Sequence, residues 1–301
     1  SVYCEFMTTS SPQVAVVTGA NSGIGRATAL HLAQQGYRVF GTVRSIDKAG
    51  KLQARANELG VAVELIELDV ADDASVQRGF ADIFRATNRV DVLVNNAGIG
   101  GNGVVEESTS QMYHDAFNVN VVGAIRCTQQ VLPNMRERKS GTIVNITSVV
   151  GKFAAIAQAP YVASKWAFEG VSEELAQELA PFGIRVVIIE PGVTKSSIFA
   201  KNIDAPNQSG AYDAHYRRMF AFYAAGITNA TPAEEVGSLI HHAITTDTPQ
   251  LRYACSWAGP EIVTGRAAQS DKDWVAMAAS EHDSDYFDAF KTAYGVGLSN
   301  S

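Results

Sequence analysis

Cysteine is scarce: Cys4, Cys127 and Cys255 are the only three in 301 residues, odd in number and far apart. They lack the close Cys/His spacing of a zinc site, so no metal is expected, and a reducing, cytoplasmic interior is the simplest setting. Basic charge is also short, with 24 Lys plus Arg against 31 Asp plus Glu and a net charge of −7. That excludes a strongly basic nucleic-acid binder. No uninterrupted apolar run approaches the roughly 18 residues of a membrane helix, so no membrane contact is expected. Residues 1–12 have neither the basic leader nor the long apolar core of a secretory signal; they read as an N-terminal extension, with Met7 a candidate natural start. Neither a Pro/Gly/Ser-rich linker nor a repeat of 20–50 residues divides the chain. With 46% hydrophobic and 18% charged residues, the composition is that of a globular protein.

What is present is an alternation of short Val/Ile-rich runs with segments of helical periodicity. Strands are predicted over 14–18, 38–43, 62–68, 90–95, 141–147, 185–190 and 251–255, and helices over 25–35, 48–59, 74–86, 110–138, 161–182 and 232–245. Most strands are nearly continuous apolar runs, as parallel strands covered on both faces are. The expected fold is α/β, a Rossmann-like doubly wound, mainly parallel seven-stranded sheet with helices on both faces, in one domain over 13–256. Thr231-Pro-Ala-Glu234 reads as a capping box with proline at the first helical position.

Two stretches fall outside the alternation. Residues 193–230 read as a substrate lid, whose aromatics Phe199, Tyr212, Tyr216, Phe220, Phe222 and Tyr223 suit core packing better than pocket lining. Residues 257–301 read as a C-terminal extension packed on the same domain, with Trp274 and Tyr286-Phe-Asp-Ala-Phe290 at the spacing of an amphipathic helix. His241 and His242 are adjacent on a predicted helix and so point to different faces.

The chemistry concentrates at strand ends. Thr18-Gly-Ala-Asn-Ser-Gly-Ile-Gly25 lies where the first strand hands over to the first helix. Gly19 permits a tight turn, Gly23 lets backbone approach a pyrophosphate and Gly25 allows close helix–strand packing. Asn21, Ser22 and Ile24 complete this anion-binding helix start. Asp69-Val70 ends the third strand, where a carboxylate can meet an adenine amine or simply cap a helix. Asn95-Asn96-Ala97-Gly98 closes the fourth at the same edge. Beyond the fifth strand stands Ser148, and then Tyr161 and Lys165, four apart on one helix face. A phenol of pKa near 10 becomes a useful acid–base group when an ammonium draws it down.

Together these motifs resemble the short-chain dehydrogenase/reductase family over roughly residues 14–255: TGANSGIG, NNAG, an Asn in the middle helix, Ser followed by YVASK, and Pro191-Gly192 after the sixth strand. The resemblance implies that Tyr161 is the general acid of reduction and general base of oxidation, and that Ser148 polarises the carbonyl. It implies that Lys165 lowers the tyrosine pKa and holds the nicotinamide ribose, and that Asn120 anchors a proton-supplying water. Pro191, Gly192, Val193 and Thr194 would frame the nicotinamide. Val43 stands where the family places the acid that selects NAD, and Arg44-Ser45 follow; a guanidinium and a hydroxyl suit a 2′-phosphate, so NADP(H) is expected over NAD(H). The implied activity is NADP(H)-dependent reduction of an apolar ketone or aldehyde, reversible as alcohol oxidation, in a homodimer or homotetramer built on helices 110–138 and 161–182. The alternatives are an NAD-dependent alcohol or polyol dehydrogenase and a catalytically silent dinucleotide-sensing protein.

Overall fold

A computed structural model describes residues 11–196 and 205–298. Most of the N-terminal extension, with Cys4 and Met7, and part of the expected lid, with Phe199, lie outside the described residues. The chain runs β1 (Val14–Val17), α1 (Gly23–Gln34), β2 (Arg38–Val43), α2 (Gly50–Leu59), β3 (Val63–Glu67), α3 (Asp73–Ala86), β4 (Val92–Asn95) and α4 (Ser110–Phe117). A π-turn (Asn118–Val122) joins α4 to α5 (Gly123–Arg138), followed by β5 (Gly141–Ile146), α6 (Ala159–Leu179) and β6 (Ile184–Pro191). Next come α7 (Asp213–Asn229), α8 (Ala233–Thr245) and β7 (Arg252–Cys255). The described chain ends in α9 (Gly259–Ala268), α10 (Asp271–Ala278) and α11 (Asp283–Tyr294).

The seven strands form one sheet in the order β3-β2-β1-β4-β5-β6-β7, and every pairing is parallel. The fold is the expected Rossmann-like doubly wound sheet. Alternation along β1 builds both layers: Ala15 and Val17 meet Leu30, Leu52 and Ile240 of α1, α2 and α8, while Val14 and Val16 meet Phe80, Val131 and Leu179 of α3, α5 and α6. Strand order reverses between β1 and β4, so the crevice outside their carboxyl ends is the natural ligand position.

Two expectations need correction. The helix expected over 110–138 is interrupted by the π-turn, which inserts an extra residue and turns Asn120 inward. Thr231 forms no capping box, because its hydroxyl accepts from Trp257 N (2.9 Å) and Pro232 stands at the cap with no side-chain bond. The stretches around 213–229 and beyond 257, which stand outside the alternation read in sequence, form α7 and α9 to α11, the amphipathic spacing at Tyr286–Phe290 falling within α11. On α7 the buried residues Tyr216, Met219, Tyr223 and Gly226 make a helical stripe that exposed Phe220 and buried Arg218 disguise in sequence.

Candidate active site

The glycine-rich turn is stitched to the turn after β4. Thr18 Oγ1 accepts from the backbone N of Asn96 and Ala97, both at 3.0 Å, and Asn96 Nδ2 donates to the Thr18 and Gly19 carbonyls (2.9 and 3.2 Å). Gly19 (φ +65°) and Gly23 (φ +53°) occupy the left-handed region, and a Cβ at Gly25 would strike Asn96 Nδ2 and the Gly19 carbonyl. The segment after β6 crosses the same turn, since a Cβ at Gly23 would lie 3.0 Å from that of Ser196. α1 opens at Gly23 behind exposed Ser22, which makes no side-chain cap bond, and its first turn holds no acid. Its amide groups are therefore left for an anion. Asn21 donates to Lys48 O (3.1 Å), but its Oδ1 is buried without a partner among the described residues. Half-buried Ile24 packs on the sheet core.

Around this turn, Val43 is buried and Arg44 is exposed, engaged by no other described residue. Ser45 is half-buried at the start of a short 3-10 turn, its hydroxyl forming no cap bond. Asp69 Oδ1 accepts from Ala71 N (2.9 Å), closing a turn, while Asp72 rather than Asp69 caps α3. Buried Val70 is pressed by the start of α5, because a Cβ on Gly123 would lie 2.9 Å from it. A cradle of glycines, an orphaned amide oxygen and an uncapped helix start fits a dinucleotide.

The second group converges from β5, α6 and the π-turn. Ser148 is buried; its hydroxyl donates to Pro191 O and accepts from Val150 N, both at 3.3 Å. Tyr161 lies in the first turn of α6, and Lys165 one turn later donates from Nζ to Ile146 O (2.9 Å), 5.7 Å from the Tyr161 ring centre. Asn120 Oδ1 accepts from Ile99 N (2.8 Å), and Nδ2 donates to Ile99 O and Ser164 Oγ, both at 2.9 Å. Ser164 in turn donates to Tyr161 O (2.7 Å), and the Cβ position of exposed Gly98 is 3.2 Å from Asn120 Oδ1. Tyr161 keeps some surface in solvent, yet burial raises its pKa, with the hydrogen bond to Ser148 pulling the other way. Burial also lowers Lys165 to about 8, against the carboxylate of Glu169. The phenol is thus a weaker acid than the lysine alone would make it.

After β6, buried Pro191 leads to Gly192, whose N donates to Cys255 O (2.8 Å) and where a Cβ would strike Trp257 O. Val193 N donates to Trp257 O (3.0 Å). The Thr194 and Ser256 hydroxyls share a 2.7 Å bond, so Thr194 keeps its proton for a ligand when Ser256 donates. Opposite this segment, Phe153 meets Trp274, Phe290 and Tyr294 edge to face, and Phe222 packs on Trp257 and Phe290. Tyr161 and Val162 pack against the same cluster, so the C-terminal helices wall this chain's own site. Arg218, buried on α7, binds Asp283 (2.9 Å) and Ser280 O (2.6 Å) and so ties α7 to α11. Of the lid aromatics, Tyr216 and Tyr223 are buried; Tyr223 donates to Asn102 Oδ1 (2.6 Å). His241 meets His31 and Tyr37 while His242 meets Tyr253, on different faces as adjacency requires.

One group beneath the site was missed in sequence: Glu169, Glu190 and Arg252 are buried or half-buried behind Ser148 and Lys165. The available signal was the four-residue step that continues Tyr161 and Lys165 to Glu169.

The sequence profile of the family described as short chain dehydrogenase matches residues 13–207. The chain belongs to this family. It is 37% identical over 255 residues to mouse 17-beta-hydroxysteroid dehydrogenase type 1, covering 80% of this chain and 73% of that protein. A short-chain dehydrogenase from Streptomyces avermitilis superposes with a TM-score of 0.78 at 35% identity, covering 90% of this chain and all of that one. An actinorhodin polyketide ketoreductase solved with NADPH gives 0.67 at 31% identity, over 77% and 90% of the two chains. The chain is therefore an oxidoreductase of the kind that interconverts CH–OH and C=O.

Proposed function

We propose that the protein is an NADP(H)-dependent ketone or aldehyde reductase acting on an apolar substrate. The reading is carried by the meeting of Asn120, Ser148, Tyr161 and Lys165 beside the glycine cradle. A nicotinamide held there would supply or accept hydride at the substrate carbon. Ser148 donates to the carbonyl oxygen as negative charge grows there, and the Tyr161 hydroxyl gives that oxygen its proton. Burial favours a protonated phenol at neutral pH, which suits the reductive direction. Lys165, at about 8, is largely ammonium at pH 7; it steadies the phenolate left behind and hydrogen-bonds the ribose. Asn120 braces the strand end at Ile99 and the first turn of α6 through Ser164, and anchors the water that returns the proton.

Gly19, Asn21, Ser22, Gly23, Ile24 and Gly25 would hold the pyrophosphate, Asp69-Val70 and Asn96-Ala97-Gly98 the adenosine side, and Pro191 to Thr194 the nicotinamide. The preference for NADP(H) rests on buried Val43 where an acid would bind ribose hydroxyls and on exposed Arg44, which has no acidic partner among the described residues. The ketoreductase neighbour solved with NADPH is in keeping with it. An apolar substrate suits the Phe153, Phe222 and Trp257 wall, and a hydroxysteroid dehydrogenase stands among the relatives. No described helix is long and apolar enough to cross a membrane; the cytoplasmic setting we propose rests instead on the few, widely spaced cysteines, of which Cys127 and Cys255 are free. An apolar groove of about 300 Å3 between α5 and α6, lined by Ile125, Leu132, Phe168 and Leu175, suits a homodimer or homotetramer through these helices.

Cofactor choice is tested by fluorescence titration with NADPH and NADH. Arg44→Asp is expected to weaken NADPH binding about 10–100-fold, the worth of a lost charge-assisted bond, and to spare NADH. Equal binding of both by the unaltered protein overturns the preference.

A further inference from the structure

Tyr161, Lys165 and Glu169 are spaced four apart and form one stripe along α6. Only the first two belong to the site described above. Glu169 is 4% exposed, a cost a carboxylate bears only when paired. Its Oε1 accepts from Thr147 Oγ1 (2.6 Å), the residue before Ser148, and its Oε2 accepts from Arg252 Nε of β7 (3.0 Å). Lys152, on the turn after Ser148, stands 3.9 Å away. The fit is close, since a Cβ on Gly151 would lie 2.8 Å from Glu169 Cγ and 3.1 Å from Lys165 O. The charged and titratable groups facing this carboxylate are Lys165 and Glu173 of α6, Lys152 after β5, Glu190 of β6 and Arg252 of β7; Cys255 of β7 stands beside Glu190 and Tyr161 beside Lys165.

We propose that Glu169 is a positioning residue of the active site, keeping Lys165 protonated in a buried setting and tying its helix to the turn that carries Ser148. The negative charge offsets the desolvation that otherwise drives the ammonium to lose its proton. Arg252 makes a charged Glu169 tolerable there, with Glu173 and Glu190 completing its own pairing. The kinetic consequence rests on the reductase reading; the charge coupling does not.

Glu169→Gln keeps the volume and an acceptor for Thr147 while removing the charge. In lysine-labelled protein, with the Lys165 signal assigned through Lys165→Arg, the Lys165 midpoint is expected near 8 in the unaltered protein and about one unit lower in E169Q. Reductive kcat/KM is expected to fall about tenfold at pH 9 and to stay within about twofold at pH 6, because the alkaline limb follows the coupled Tyr161–Lys165 pair downward. If E169Q does not fold, the milder Glu169→Asp, which keeps the charge but draws it back by one methylene, serves in its place and lowers the Lys165 midpoint by a smaller amount. An unmoved midpoint in the folded variant overturns the proposal, as does a lowered Tm with an unchanged pH profile. Absence of turnover in the unaltered protein counts against the reductase reading alone, and the lysine titration still decides.

Discussion

Glu190 sits at the end of β6, 1% exposed, with Oε1 at 3.2 Å from Arg252 Nε but outside hydrogen-bond geometry. Burial and the neighbouring Glu169 carboxylate push it up to about 7, against the pull of Arg252. The fold thus favours the neutral acid: its stabilising contribution is complete below the unfolded value of 4.5 and is lost as pH rises through 7. Glu190→Gln is expected to leave stability nearly unchanged at pH 4.5 and to raise it by ~1–3 kcal/mol at pH 8, measured by denaturant unfolding at both pH values. A variant less stable at pH 8 makes the Arg252 pairing the stronger effect. At this scale the sequence exposed Ser148, Tyr161, Lys165 and Asn120, because each sits in a short local motif. Glu190 and Arg252 were hidden: 62 residues separate them in sequence, and only the β6–β7 register, which pairs Glu190 with Ala254, brings them together.

Helices and strands were legible wherever an apolar stripe or a β-branched run stood clear, as in β1, where all four residues are buried. The π-turn was not, since Asn118-Val-Asn-Val-Val122 holds no glycine or proline to mark a break and only its hydrogen bonding differs. The C-terminal helices were half legible: the Tyr286 to Phe290 stripe announced α11, while short, glycine- and alanine-rich α9 has little periodicity to read. These helices matter to the site through Phe290, 1% exposed, which touches Phe153, Phe222, Tyr286 and Tyr294. Phe290→Ala is expected to cost about 3–5 kcal/mol in unfolding free energy. It should also raise KM for apolar substrates with little change in kcat. An equal loss of kcat places the tail's effect on the catalytic group instead.

For the whole molecule, the doubly wound sheet explains why distant motifs serve one purpose. Seven parallel strands deliver Thr18, Val43, Asp69, Asn95, Thr147, Pro191 and Cys255 or their immediate successors to a single edge. The reversal of strand order opens that edge between β1 and β4, and the C-terminal helices wall it beyond β6. A net charge of −7 does nothing to draw an anionic cofactor from a distance, so the proposed reading relies on local donors: the uncapped start of α1 and the guanidinium of Arg44, which no other described residue engages. The central claim is that this edge transfers hydride with Tyr161 handling the proton. The most direct measurement follows NADPH consumption against a panel of apolar ketones and aldehydes, comparing the unaltered protein with Tyr161→Phe and titrating NADPH into both. The expected result is turnover that falls about 100–10,000-fold in the variant, the usual worth of a general acid, with NADPH binding kept. Turnover that survives in Tyr161→Phe, or tight NADPH binding with no turnover in either protein, would contradict it.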